Sequence, residues 1–244
     1  MNKVYVDEKT LSRFSKITSP CNYESTIYKN GDTLYKILLP MYRNKYREKN
    51  IELLSKFTHP NCVFPKDKVY SNDTGKFIGL TEEFLSQYIT LSYLLKNDYL
   101  DFNTRKSIAF KICDIQDDLN NLNISFIDMH PNNVMLNKEN DIKLIDLDGS
   151  DILTRTHSST FEKNRKNTIS RNLNKICFLL LYGNDFNINK LEPNDYRELL
   201  NNSTQRQKEF LESIIFKRQI YDTREYLSDF NENDMEVCKL ILHK

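Results

Sequence analysis

The chain has no long apolar run. No window of its 244 residues approaches the roughly 18 consecutive apolar residues that a membrane-spanning helix needs. The N-terminal stretch from Met1 to Thr10 is polar, so it lacks the apolar core of a secretory signal peptide. We therefore expect a cytoplasmic protein that has no membrane partner.

The sequence also lacks an excess of either charge, and its cysteines do not have the spacing of a metal site or a redox motif. Lys and Arg total 35 against 34 for Asp and Glu, a formal net charge of +1, which argues against a nucleic-acid partner. The five cysteines have no C-x-x-C spacing, and four histidines are too few to complete a zinc site. Reduced thiols in a cytosol are the simplest interpretation of Cys21, Cys62, Cys113, Cys177 and Cys238.

The first third of the chain has the pattern of β-strands. Residues 23–28 and 33–38 favour strands, and Asn30-Gly31 between them is the dipeptide preferred where both turn residues need a positive φ. We therefore expect a β-hairpin here. A helix over roughly 43–57 and a further strand over 76–85 follow.

From about residue 88 the pattern becomes helical. Residues 104–122 carry one apolar stripe at three- and four-residue steps, formed by Ile108, Ile112, Ile115, Leu119 and Leu122. Pro193 has the position of a first-turn residue in a later helix. The sequence thus predicts an α+β protein with a small β-rich lobe at residues 1–85 and a larger helical lobe at 86–244.

Three oxygen-bearing side chains stand near short predicted strands in the middle of the chain. Asp128 and Asn133 are five residues apart on a predicted loop after the segment Ile124 to Ile127, and Asp146 follows a predicted strand. A hairpin of the strands Val134 to Leu136 and Ile142 to Ile145, joined by the Asn137–Asp141 turn, would bring the three together. Phosphoryl transfer needs such a set: one carboxylate for the hydroxyl nucleophile, and oxygen ligands for Mg²⁺.

These residues resemble the protein kinase-like superfamily. Asp128-Met-His-Pro-Asn-Asn133 matches the catalytic-loop pattern D-x-x-x-x-N and the D-L-H-P-x-N form of aminoglycoside and choline kinases, while Ile145-Asp-Leu-Asp-Gly149 resembles the metal-binding D-F-G or D-x-D segment. The resemblance implies a bilobal kinase-like fold, ATP and Mg²⁺ as cofactors, Asp128 as the base, and Asn133 and Asp146 as Mg²⁺ ligands. It also implies a contact from His130 to the transferred phosphate, with a loop-structuring hydrogen bond as the alternative.

The N-terminal part resembles the same superfamily. Lys36, in Leu-Tyr-Lys-Ile, corresponds to the strand lysine that holds the α- and β-phosphates, and His59-Pro-Asn resembles the stretch after the regulatory helix. Glu83 and Leu85 correspond to the hinge, whose backbone meets adenine. The helix residue that faces Lys36 is left open between Glu48, Asn50 and Glu52.

The sequence also departs from the kinase pattern. It has no G-x-G-x-x-G, and the corresponding loop, Ser19-Pro-Cys-Asn22, has no glycine. Phe126 and Ile127 replace the His and Arg of H-R-D, and no A-P-E follows. The basic, Ser/Thr-rich segment 154–171 is either a solvated loop or an activation or docking segment, and Asp148 is either local structure or a second metal ligand.

Three functions remain open at this level. The first is an ATP- and Mg²⁺-dependent phosphotransferase acting on a hydroxyl, with protein Ser/Thr slightly favoured over a small alcohol or aminoglycoside. The second is a non-catalytic pseudokinase that serves as an interaction module. The third is an unrelated α+β domain in which the spacing is accidental.

Overall fold

The computed structural model describes residues 1–18, 23–153, 159–182, 193–215 and 223–234. The chain divides into two compact units. Unit 1 is Met1–Tyr88 with Lys143–Ile152, and unit 2 is Ile89–Ile142 with Leu153–Lys244. The short segment Lys143–Ile152 thus belongs with the N-terminal residues, although it follows the first part of unit 2, Ile89–Ile142, in sequence. The division into lobes at residues 1–85 and 86–244 stays a prediction.

The elements follow one another in a β-rich and then an α-rich order. Residues 1–88 contain β1 (Lys3–Val6), α1 (Glu8–Leu11), β2 (Ser15–Ile17), β3 (Ser25–Asn30), β4 (Thr33–Leu38), α2 (Lys45–Leu54), β5 (Asp67–Ser71) and β6 (Phe77–Glu83). The later part contains β7 (Ile89–Thr90), α3 (Leu91–Lys96), α4 (Phe102–Asn121), β8 (Ile124–Ser125), β9 (Val134–Leu136), β10 (Ile142–Leu144), β11 (Asp151–Ile152), α5 (Ser159–Tyr182), α6 (Pro193–Asn201), α7 (Gln205–Ile215) and α8 (Thr223–Asp229).

Unit 1 is built on one six-stranded sheet. Its strand order is β1-β5-β6-β4-β3-β2, with β1 parallel to β5 and the remaining neighbours antiparallel. Helix α2 packs on this sheet, and their common core contains Leu38, Ile51, Tyr70, Phe77 and Leu80. The α+β class predicted from the sequence is therefore confirmed, with a mixed sheet.

The predicted hairpin is confirmed as β3–β4, but the turn is displaced by one residue. Asn30 pairs with Thr33 at the end of the ladder, so the two loop residues are Gly31 and Asp32. Of the predicted turn pair Asn30-Gly31, Gly31 alone has a positive φ, 59°. Asn30 remains in the strand because its pairing with Thr33 extends the ladder by one step, and the prediction for that residue was wrong.

Unit 2 has α4 as its central helix. The Asp101 side chain caps the helix by accepting from the Thr104 backbone N–H at 2.8 Å. The predicted stripe is buried at Ile108, Ile112, Ile115 and Leu119, while Leu122 lies just beyond the helix and is half-buried. The free thiols of Cys113 and Cys177, on α4 and α5, are also buried. The periodicity therefore identified the core face of α4.

The basic segment is helical where the structure describes it. Residues 154–158 lie outside the described residues, and α5 begins at Ser159. The interpretation of 154–171 as a solvated loop is therefore wrong from Ser159 onward. Buried apolar residues later in the helix, such as Ile169 and Ile176, give α5 a face to pack, while its charged residues are half-buried or exposed. Pro193 is the first residue of α6, as predicted.

No helix in the described ranges is long and apolar enough to cross a membrane. Within those ranges, Cys62, Cys113 and Cys177 form no disulfide, and all three are buried.

Gly79 allows β6 to approach β4. A Cβ at this position would collide with the Lys36 carbonyl oxygen and lie 3.1 Å from the Ile37 Cα. Because these are backbone atoms of the neighbouring strand, they cannot rotate away. We expect Gly79→Ala to lower the free energy of unfolding by about 1–3 kcal/mol, the usual range for overpacking, in urea denaturation.

Gly149→Ala is the matched control. Its Cβ would meet no atom within 4 Å, so we expect an unfolding free energy within about 0.5 kcal/mol of the wild type. Equal stability of the Gly79 and Gly149 variants would contradict the close β4–β6 approach.

Candidate active site

Lys36 lies in the middle of the unit 1 sheet. It occupies β4 opposite Leu80 of β6, and 6% of its surface is exposed. Its Nζ donates to Asp148 Oδ1 at 2.6 Å and also to Asp146 Oδ1. A buried ammonium group needs such partners, because burial of an unpaired charge is strongly unfavourable. The structure thus brings together two of the predicted site residues, Lys36 and Asp146.

A tight turn presents the two carboxylates to the lysine. Asp146 has a positive φ of 63° and precedes a 3-10 helix at Leu147–Gly149. Asp tolerates this left-handed conformation better than most residues. The side chain of Asp146 is 42% exposed, whereas that of Asp148 is fully buried. One carboxylate therefore stays accessible while the other is enclosed.

Helix α2 contributes a cation to this cluster. Arg47 Nη2 donates to Asp148 Oδ2 at 2.5 Å, and the side chain is placed in the first turn of a helix that Asn44 caps. Asn50 Nδ2, one turn later, donates to the Ser150 carbonyl oxygen at 2.6 Å. The helix therefore contacts the 148–150 segment through a guanidinium and an amide.

The glutamates of α2 have other partners. Glu48 accepts from the Tyr70 hydroxyl at 2.5 Å, and Glu52 accepts from Lys68 Nζ at 2.6 Å. Both partners are on β5. Of the candidates Glu48, Asn50 and Glu52, none is a described partner of Lys36. The helix is rotated so that its acids face β5.

The charges of this cluster are linked. Burial alone would lower the pKa of Lys36, but the carboxylates of Asp148 and Asp146 outweigh it and raise the pKa above its usual value. Burial would likewise raise the pKa of Asp148, but Lys36 and Arg47 outweigh it and lower the pKa. Burial raises the pKa of Asp146, with Lys36 opposing. The lysine is therefore held as an ammonium ion.

Glu82 is a further buried acid beside this cluster, and the sequence reasoning missed it. Burial raises its pKa to about 8, opposed by Lys36 and reinforced by Asp148 and Asp146. Its Oε1 has no hydrogen-bond partner among the described residues. The signal for it was weak, because an acid near the end of a strand such as Phe77–Glu83 usually faces solvent, as the neighbouring Glu83 does.

The predicted hinge residues follow at the end of β6. Glu83 is the last strand residue, pairs with Thr33 and is exposed. Leu85 is buried, and its carbonyl oxygen accepts from the Tyr88 backbone N–H at 3.3 Å. Their contact with adenine stays a prediction.

The predicted catalytic loop lies in unit 2. Asn133 Nδ2 donates to Asp128 Oδ2 at 2.9 Å and to the Asp128 carbonyl oxygen at 3.0 Å. His130 Nδ1 accepts from the Asn132 backbone N–H at 3.2 Å, which caps the 3-10 helix at Pro131–Asn133. The loop therefore joins Asp128 to Asn133, and His130 makes a loop-structuring bond.

The loop is anchored from both sides. Met129 and Pro131 are buried, and Asn172 of α5 donates to the Ile127 carbonyl oxygen at 2.6 Å. Asp128 stays exposed between these anchors. The arrangement presents an accessible carboxylate on a fixed backbone.

Each of the two predicted metal ligands, taken by itself, has the oxygen chemistry that Mg²⁺ prefers. Both hydrogen bonds of Asn133 to Asp128 use its amide nitrogen, which leaves the amide oxygen for a hard cation. Asp146 offers a partly exposed carboxylate. Within the described residues, no three His, Cys, Asp or Glu side chains form a metal-holding group. The assignment of Asn133 and Asp146 as metal ligands stays a prediction.

These side chains are of the kinds used by enzymes that transfer phosphoryl groups. No protein-family model matches the chain. The chain is 28% identical over 117 residues to "Probable serine/threonine-protein kinase glkA" of Dictyostelium discoideum. The match covers 48% of this chain and 24% of that protein, so it spans about a quarter of the relative's length. This distant similarity suggests the protein kinase-like superfamily.

The raised pKa of Glu82 makes a prediction for stability. Between its ordinary pKa of 4.5 and about 8, the folded state keeps a proton that the unfolded state releases. The stabilisation is therefore complete below pH 4.5 and is lost as the pH rises toward 8. Because Gln does not titrate, Glu82→Gln removes this contribution to the pH dependence of stability. The unfolding free energy of the variant minus that of the wild type should therefore rise by about 1 kcal/mol for each pH unit across this range.

Urea denaturation at several pH values measures this difference. Glu83→Gln is the control, because the neighbouring side chain is exposed. A constant difference between Glu82→Gln and the wild type from pH 5 to pH 8 would refute the neutral, buried Glu82.

Proposed function

We propose that this protein is an ATP- and Mg²⁺-dependent phosphotransferase with a bilobal kinase-like fold, which moves the γ-phosphate to a hydroxyl group. The observation that carries the proposal is the buried Lys36 beside Asp146 in unit 1. The Asp128–Asn133 hydrogen bond in unit 2 and the distant kinase similarity support it.

Asp128 has the role of the base in this proposal. Its carboxylate accepts the proton of the acceptor hydroxyl while that oxygen forms a bond to the γ-phosphorus. The bond from this phosphorus to the β,γ-bridging oxygen breaks, and ADP leaves with the electron pair. The hydrogen bonds from Asn133 orient the Asp128 carboxylate for this task.

Lys36 holds the phosphates of the nucleotide. Its raised pKa keeps the side chain positively charged. Because the backbone of Lys36 is held in a strand, its ammonium group is well placed to bind phosphate oxygens. Asn133 and Asp146 would hold Mg²⁺, which neutralises charge on the phosphates. Glu83 and Leu85 provide the hinge for adenine in this proposal.

The acceptor is a protein Ser or Thr by a narrow margin. The His59-Pro-Asn stretch and the Ser/Thr-rich basic segment favour a protein substrate, and the kinase name of the Dictyostelium relative agrees with it. The Asp128-Met-His-Pro form favours a small alcohol or aminoglycoside instead. A side-by-side transfer assay decides between the two acceptor classes. It compares phosphate incorporation into a mixture of Ser/Thr-containing proteins with incorporation into aminoglycosides or choline.

A pseudokinase is the second candidate. Its support is the lack of G-x-G-x-x-G and the two α2 glutamates that contact β5. The Ser19-Pro-Cys-Asn22 loop that would replace the glycines lies outside the described residues. Thermal unfolding with ATP, with and without Mg²⁺, tests nucleotide binding. A bound nucleotide at one hundred times its Kd should stabilise the protein by about 2.7 kcal/mol. A radiolabel transfer assay then separates an enzyme from a scaffold.

Asp128→Asn tests the base. We expect Mg-ATP to bind as in the wild type, because Lys36 and Asp146 are unchanged. Transfer should fall by about 10²–10⁴-fold, the usual contribution of a general base, in a radiolabel assay. Glu139→Gln, an exposed acid in the following turn, should keep the wild-type rate. Transfer by Asp128→Asn at the wild-type rate would exclude Asp128 as the base.

Asp146→Asn tests the metal site. The variant keeps the size of the side chain but removes its negative charge, so we expect Mg²⁺-dependent stabilisation by ATP to disappear in thermal unfolding. Asp141→Asn, at an exposed turn position, is the control and should retain the stabilisation. If Asp146→Asn also retains it in full, Asp146 is not a metal ligand.

A further inference from the structure

We propose that Asp148 is the positioning residue of Lys36 and that it couples this lysine to helix α2 through Arg47. The inference deepens the proposed function, on which its consequence for phosphotransfer rests. It assigns to Asp148, together with a helix cation, the task of holding the phosphate-binding lysine in place.

Both oxygens of Asp148 are committed to cations. Oδ1 accepts from Lys36 Nζ at 2.6 Å, and Oδ2 accepts from Arg47 Nη2 at 2.5 Å. The side chain is fully buried, so water does not compete for either oxygen. A carboxylate in this environment interacts strongly with its partners, since the local dielectric is low. Asp148 therefore bridges the β4 lysine and the α2 arginine.

Asp146 cannot provide this permanent anchor. Its side chain is 42% exposed, against 0% for Asp148. The proposed function also uses Asp146 as a metal ligand, so its carboxylate must serve a second cation. Asp148 has no such competing task, because its two oxygens are already occupied inside the protein.

Helix α2 is held to the same segment at three points. Besides Arg47, Asn50 donates to the Ser150 carbonyl oxygen at 2.6 Å, and the Tyr46 hydroxyl donates to Asp151 Oδ1 at 2.7 Å. These helix positions lie within one turn of each other, so the helix and the 148–151 segment form one body. A displacement of α2 would therefore carry Asp148 with it and change the support of Lys36.

The helix has no acid available for this task. Glu48 and Glu52 are bound on β5 by Tyr70 and Lys68. The cation of Arg47 cannot contact Lys36 favourably by itself, because like charges repel. An anion between the two solves this problem, and Asp148 is the buried carboxylate at that position.

Amine labelling of the purified full chain tests the Asp148–Lys36 contact without requiring activity. The labelling rate of Lys36 is measured by peptide mass spectrometry relative to Lys68, a buried lysine paired with Glu52 in the same unit. We expect Asp148→Asn to increase the Lys36/Lys68 ratio by about tenfold, the factor for one lost charge-assisted contact. Asp141→Asn is the control: it also replaces a carboxylate by an amide, but at an exposed turn position of unit 2 where the carboxylate accepts from Asn137, so its ratio should equal that of the wild type.

Kinetics test the coupling to α2. We expect Asp148→Asn and Arg47→Met each to lower kcat/KM for ATP, Asp148→Asn by about 10²-fold, the effect of a misplaced binding group. The kcat/KM of the double variant should equal that of Asp148→Asn alone, because both substitutions break the same chain of contacts from Lys36 through Asp148 to Arg47. Asp141→Asn, in a turn of unit 2, should retain the wild-type value at a temperature where all variants are folded.

The outcomes separate the two proposals. An unchanged Lys36/Lys68 ratio in Asp148→Asn overturns the positioning role, even if the wild type transfers phosphate. An increased ratio in a protein without phosphotransfer supports the contact and refutes the proposed function. Additive effects of Asp148→Asn and Arg47→Met overturn the coupling to α2. If Asp148→Asn does not fold, Arg47→Met decides the question. A Lys36/Lys68 ratio in Arg47→Met equal to that of the wild type and of Asp141→Asn then overturns the proposal.

Discussion

The burial of the Lys36 ammonium group is the constraint on which the arrangement of unit 1 depends. A lysine with 6% of its surface exposed requires anionic partners close by, because an isolated buried charge would be removed by a shift of its pKa. The chain supplies them by a turn in which Asp146 adopts a positive φ and Asp148 follows two residues later. The conformation of this turn is thus tied to the charge of a residue more than one hundred positions earlier.

The same constraint explains the protonation of the surrounding groups. Two cations, Lys36 and Arg47, meet two carboxylates, Asp146 and Asp148. A third carboxylate in this environment adds a charge that no cation balances, and burial therefore raises the pKa of Glu82 to about 8. The charges of these four groups balance, with Glu24 as a further, half-exposed partner of Arg47, and such pairing is what a buried group of ions requires.

Local patterns predicted much of the fold, because they depend on neighbouring residues. The hairpin followed from Asn30-Gly31, and the core face of α4 followed from the spacing of Ile108, Ile112 and Leu119. The loop bond between Asp128 and Asn133 joins residues that the motif had already grouped. These features need no knowledge of distant parts of the chain.

The rotation of α2 could not be predicted in this way. Glu48 and Glu52 are drawn to Tyr70 and Lys68, whose positions depend on the pairing of β5 within the sheet. The fully buried position of Asp148 depends on Lys36 and Arg47, which are remote in sequence. The helical start of 159–171 was missed for a related reason, since its Ser, Thr and Asn residues have modest helix propensity and its buried face includes only Ile169 in that range.

That the α2 glutamates contact β5 and not Lys36 does not by itself argue against the proposed function. What a phosphate-binding lysine requires is a fixed anion, and the element that supplies it is of secondary importance. In this chain the fixed anion is on the 3-10 helix after Asp146, and α2 reaches it with an arginine. A scaffold without catalytic activity would have little need for a buried Lys36–Asp148–Arg47 bridge, since replacement of buried ion pairs by apolar groups is often neutral or stabilising. The presence of the bridge therefore supports the catalytic proposal over the pseudokinase.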